Sequence, residues 1–161
     1  MAGGGARGAV TGSVYAAGQA FDRLGCVSQE RGALLLFELG DRRTDLRRRL
    51  VEAVLRGAKT ATASLRQEYA PYTADPLPRV GERYVLVGYD DEPLGVVETT
   101  DVQVVPAGAV ELPFARDEGE GFASVAEWWA AHERFWRARG LLNTLSETTL
   151  VVCERFRLVA P

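Results

Sequence analysis

Apolar positions along this chain recur with two different periods, and each period marks a different kind of element. Leu46, Leu50, Val51, Val54 and Leu55 fall at helical spacing behind Thr44, a residue suited to an N-cap, and ahead of Gly57, which ends the run. A second helix is predicted from Ser124 to Arg139. Ser124 and Glu127 form a capping box, Gly140 closes the helix, and Val125, Trp128, Trp129, His132, Phe135 and Trp136 line one side. Between the helices, Tyr84 to Tyr89 and Leu94 to Val105 read as strands joined by Asp90-Asp91-Glu92-Pro93. Thr149 to Val159 reads as a last strand with Val151, Cys153 and Phe156 turned inward. Lys59 to Leu65 leaves the first helix as extended chain, and a loop carrying Pro71, Pro76 and Pro78 follows it. The order predicts an α+β fold: a small mixed or antiparallel sheet, curled into a β-barrel, with helices on its rim.

Composition divides the chain in two. Glycines at positions 3, 4, 5, 8, 12, 18, 25 and 32 interrupt the first segment, which shows no lasting apolar period. Residues 1–33 are therefore expected to be a flexible extension, and residues 34–161 the domain. With 161 residues and a hydrophobic fraction of 47%, the chain has enough material for one real core. A net charge of -3 argues against a protein that coats nucleic acid by charge alone. Cys26 and Cys153 lie far apart, and His132 is the single histidine, so no metal site is expected. No segment approaches the roughly 18 apolar residues of a membrane span. An intracellular, reduced, cytoplasmic setting is the simpler reading.

Among the residues able to do chemistry, Lys59 stands out. All 19 basic side chains except this one are arginine. Arginine keeps its proton, whereas a partly buried lysine can release one and act as base or nucleophile. Thr60, Thr62 and Ser64 share a face if the segment is a strand, and Lys59 then points the other way unless the chain bends at Ala58-Lys59. Glu98, inside the apolar run Gly95 to Thr100, either faces solvent or is buried against a partner, for which Lys59 would suffice. Residues 42–66 are rich in arginine and residues 90–127 in acids. The basic helix is either a solvated face or a phosphate-binding surface. The tryptophans are mainly core, but adjacent Trp128 and Trp129 cannot both point inward, so one is free to cover a pocket and stack on a base.

Taken together these residues resemble the ASCH domain family. The stretch Gly57-Ala58-Lys59-Thr60-Ala61-Thr62-Ala63-Ser64 is similar to its G-x-K-x-x-T signature. The likeness continues through Arg79-Val80-Gly81-Glu82, Val97-Glu98-Thr99-Thr100, the Glu118-Gly119-Glu120-Gly121 turn, the tryptophan helix and Val152-Cys153-Glu154-Arg155-Phe156. The resemblance implies a PUA-like β-barrel with a cleft beside the signature helix. It also implies one of two activities. Small members hydrolyse the amide of acetylcytidine with a lysine, a threonine and a glutamate, matched here by Lys59, Thr62 and Glu98. Others bind RNA, and one is described as a ribonuclease. Ser64, Glu120, Trp128 and His132 are the candidates for substrate contacts, and the expected partner is a nucleoside-like small molecule or RNA, without cofactor or metal. The chain departs from the small amidohydrolases in its extra turn and aromatic helix, and in Ser64, where those enzymes carry arginine.

Overall fold

In the computed structural model, which describes residues 35–160, the pattern behind Thr44 becomes α1 (Asp45–Leu55). Thr44 is extended, and its Oγ1 accepts from the Arg47 N–H at 3.1 Å. Replacing Thr44 by alanine leaves that donor without its cap. The variant is expected to lose about 1 kcal/mol of stability, read from the urea midpoint at unchanged m-value.

Preceding α1 is a short strand, β1 (Leu35–Phe37), and after it come β2 (Ala61–Leu65), β3 (Arg83–Val87) and β4 (Pro93–Pro106). α2 (Leu112–Asp117), α3 (Val125–Ala138) and β5 (Leu150–Ala160) complete the order. Ser124 caps α3 as its pattern predicts, although the Glu127 carboxylate reaches back to the Ala123 N–H rather than to that of Ser124. The flexible extension expected for residues 1–33 lies outside the described residues.

The strands form one mixed sheet in the order β1-β3-β4-β5-β2. β1 runs parallel to β3, and the other pairs are antiparallel. The α+β class with helices against a mixed sheet is as expected, but the sheet does not close into a barrel. Closure needs a full ladder between the first and last strands, with matching tilt and stagger. The outer strands here, of 3 and 5 residues, are not paired with each other and are too short to supply that ladder.

Each face of the sheet carries its own core. Leu50, Val51 and Val54 of α1 pack with Phe37, Tyr84, Leu86, Val97 and Phe156. On the other face Trp128, Ala131 and Trp136 of α3 and Phe114 and Ala115 of α2 pack with Ala61, Ala63, Leu65, Val151 and Cys153. Strict alternation along β5 sorts Val151 and Cys153 to one side and Phe156 to the other.

The basic and acidic runs find each other across the fold. Arg47, 2% exposed, donates to Asp91 and to the Gly40 carbonyl, while Arg42 and Arg43 pair with Asp90. Arg47 is thus tied to the β3–β4 turn, while Arg48 and Arg49 of α1 stay exposed.

Candidate functional site

Lys59 is aimed by the end of α1. Gly57 takes a left-handed φ of +78°, and the Ala58 and Lys59 N–H groups both donate to the Ala53 carbonyl, which turns the chain sharply before β2. The Thr60 N–H then donates to Asp117 O, fastening this corner to the end of α2. Only glycine fits beside it at position 119. A Cβ there would stand 2.4 Å from the Ala58 carbonyl oxygen and 2.7 Å from the Lys59 Cα. The α2–α3 loop therefore lies directly on the Lys59 backbone.

In this corner the Lys59 amine is closed from solvent. It donates to the Glu118 carbonyl at 3.0 Å and to Glu120 Oε1 at 3.3 Å, with Glu118 Oε2 at 3.7 Å. Behind it, Glu118 Oε1 accepts from Trp128 Nε1 at 2.8 Å, and Oε2 lies 3.2 Å from His132 Nε2. The other imidazole nitrogen, Nδ1, is 2.8 Å from the Trp128 carbonyl oxygen. The His132 ring stacks on Trp128 at 4.4 Å and meets Trp136 edge-on at 5.2 Å.

The electrostatics follow from burial opposed by pairing. Burial works against the Glu118 charge, yet the His132 and Lys59 cations and the hydrogen bonds from His132 and Trp128 hold its carboxyl below the usual 4.5. Burial likewise works against a charged His132. The Glu118 field and hydrogen bond, then Glu120 and the Trp128 carbonyl, raise it above 6.5. Burial, and after it the Glu118 field, push the Cys153 thiol up to about 12, so it stays protonated and unreactive at neutral pH.

Lys59, Glu120 and His132 are thus brought together, with Glu118 as the hub. Trp128 joins them as the donor that orients Glu118, but at 0% exposure it has no ring face left for a base. Its neighbour Trp129 is half-buried against the same core. Thr62 and Ser64 alternate with Ala61 and Ala63 and so lie on the opposite face of β2. There Thr62 is in register with Glu154, which accepts from Thr99 at 2.7 Å, and Ser64 shares a 2.8 Å hydrogen bond with Tyr69. Glu98 does not meet Lys59. It sits between Arg157 and Arg83, each within 2.8 Å, whose hydrogen bonds lower its carboxyl from the ordinary value. The sequence reading missed Glu118 as the partner. Its one signal was the Glu-Gly-Glu-Gly repeat, and distance along the chain hid which glutamate Lys59 would take.

On the same side of the sheet, a cavity of about 350 Å3 opens beside Phe114, Cys153 and Arg155, and none of Lys59, Glu118, Glu120 and His132 lines it. Arg155 lies over the Phe114 ring and pairs with Asp117, the residue before Glu118. Among the described residues no group of three His, Cys, Asp or Glu side chains is arranged to hold a metal, and no helix is long and apolar enough to cross a membrane.

A family model described as the ASCH domain matches residues 37–160. Two solved structures resemble the fold. One is an ASCH domain from Lactobacillus crispatus JV V101, at 32% identity and a TM-score of 0.62, covering 70% of this chain and 71% of that one. The other is a protein from Enterococcus faecalis V583, at 28% identity and a TM-score of 0.65, covering 76% of this chain and 78% of that one. No curated protein matches the chain.

Proposed function

The chain belongs to the ASCH domain family, and from that premise we propose that it hydrolyses the amide bond of an acylated nucleoside or a related small amide at the Lys59 centre. The observation that carries this reading is a lysine amine enclosed with two glutamates and a histidine. Such a cluster is a poor device for stability, because desolvation offsets most of the attraction between buried charges. A buried titratable group held by specific charge partners is a candidate functional group on physical grounds.

The roles follow from position. Glu120, on a turn flanked by Gly119 and Gly121, is the carboxylate nearest the outside of the cluster and takes a proton from the attacking water. Once the turn between Gly119 and Gly121 opens the buried amine to substrate, the resulting hydroxide adds to the carbonyl and the Lys59 ammonium stabilises the oxyanion. Glu120 then returns the proton to the nitrogen as the C–N bond breaks. Water is the nucleophile in this reading, since Thr62 lies across β2 from the amine.

Purified protein and its Lys59→Ala and Thr62→Ala variants are to be assayed on a panel of acylated nucleosides, acetylcytidine included. Expected is turnover by the wild type, a loss of about 100-fold or more in kcat/KM for Lys59→Ala, and retention in Thr62→Ala. Equal losses in both would return the nucleophile to Thr62. Wild type inactive on every member would end the hydrolase reading and favour RNA binding, recognisable by affinity that falls steeply with salt.

A further inference from the structure

His132 Nδ1 lies 2.8 Å from the Trp128 carbonyl oxygen. A carbonyl only accepts, so Nδ1 carries a hydrogen. In a neutral ring the other nitrogen, Nε2, would then turn a bare lone pair toward Glu118 Oε2 at 3.2 Å. Both atoms are fully buried, and neither has another hydrogen-bond partner. Two acceptors facing each other out of reach of water is a costly arrangement. A single proton on Nε2 turns it into a charge-assisted hydrogen bond that satisfies both atoms together.

We infer that His132 is a positioning residue that stands as an imidazolium and neutralises Glu118, leaving the Lys59 ammonium to Glu120 and the substrate. Its effect on turnover rests on the hydrolase reading above, whereas its charge state does not.

The groups around the ring support the inference. From the α2–α3 loop, Glu118 and Glu120 face the cluster; from the corner before β2, Lys59 stands on the far side of Glu118. From β5, Cys153 feels the Glu118 field as a protonated thiol. The remaining ring contacts are Trp128, Trp136 and Phe122. Two carboxylates thus meet two cations when His132 is charged. With His132 neutral, two carboxylates would share one ammonium, and Glu118 Oε2, 3.7 Å from the amine, would compete for Lys59 with Glu120. The pull of Glu118 and Glu120 on the ring proton acts in the same direction.

The test uses the fact that the chain has a single histidine. On the full chain labelled at histidine, 15N shifts at pH 7 are expected to show both ring nitrogens protonated, with a titration midpoint above 6.5. Shifts of a neutral ring at pH 7 overturn the inference, whatever the activity. In the panel assay, wild-type kcat is expected to fall at least tenfold as pH rises through the same midpoint, and this limb should be missing in a folded His132→Gln variant. A kcat unchanged across that midpoint, or the same limb persisting in His132→Gln, overturns the positioning role. An imidazolium in a protein inactive on the whole panel would instead uphold the charge assignment and count against the hydrolase reading alone.

Discussion

Exchanging Gly119 for alanine is expected to abolish most of the hydrolysis proposed for the Lys59 centre and to lower the melting temperature, although the residue bears no functional group. Its φ of +68° is in the left-handed region, where a side chain costs about 1–2 kcal/mol. The larger effect is steric. The added methyl would stand 2.4 Å from the Ala58 oxygen, 2.6 Å from its carbonyl carbon and 2.7 Å from the Lys59 Cα. All three are backbone atoms, so no rotamer change relieves the overlap, and the loop carrying Glu118 and Glu120 must lift from the corner that carries Lys59. A misplacement on the order of 1 Å is enough to reduce turnover roughly 100-fold. Melting temperature and kcat/KM measured together decide the matter. A variant that keeps both at wild-type values would show that the loop does not lie on the Lys59 backbone. Gly121, where a Cβ meets nothing within 4 Å, is the control for left-handed strain without a clash.

Removing the hub should unfold the protein more readily than any surface change. Glu118→Ala takes one of its two carboxylates from the buried Lys59 amine, removes the group that holds the His132 proton, and leaves Trp128 Nε1 without its acceptor. Breaking a buried pair from one side costs about 3–5 kcal/mol, which for a chain of this size is a drop in melting temperature on the order of 10 °C. Glu118→Gln keeps an acceptor for Trp128 and should lose less.

The same groups set the pH dependence. Glu118 has a lowered carboxyl in the folded state, so its contribution is present above 4.5 and lost as pH falls through the folded value below that. His132 is raised, so its contribution is fully present below 6.5 and lost as pH rises through the folded value above it. Stability from this pair is therefore greatest between about 4.5 and 6.5 and declines on both sides. Denaturation midpoints measured across pH 3 to 9 should show both slopes in the wild type; in Glu118→Gln the alkaline slope should vanish and the acid slope should shrink to the share of the other lowered carboxyls, such as Glu98.

Much of the fold was legible in the sequence because its signals are local. The spacing of Leu50, Val51 and Val54 marked α1, and Ser124 marked the start of α3, since caps and amphipathic stripes act within a few residues. The alternation of Val151 and Cys153 marked the inner face of β5 for the same reason. Less legible was α2, whose 6 residues with Pro113 in the first turn are too short to show a period. The 3-residue β1 likewise exists through its parallel pairing with β3, a partner nearly fifty positions away.

The candidate site divides along the same line. Sequence by itself determined that Lys59 is singular, the one lysine among arginines, and that it follows a helix end where a side chain can be aimed inward. It also marked Glu120, Trp128 and His132 as candidates. Only the tertiary structure decided which carboxylate Lys59 meets. Glu98 and Glu118 are equivalent as letters, but the close packing of Gly119 on Ala58 brings Glu118 to the amine, while the sheet register sets Glu98 between Arg83 and Arg157. Tertiary structure likewise placed Thr62 across β2 and left the sheet open. Charge pairing depends on distance and on what has been removed from water, and neither quantity can be read from separation along a chain.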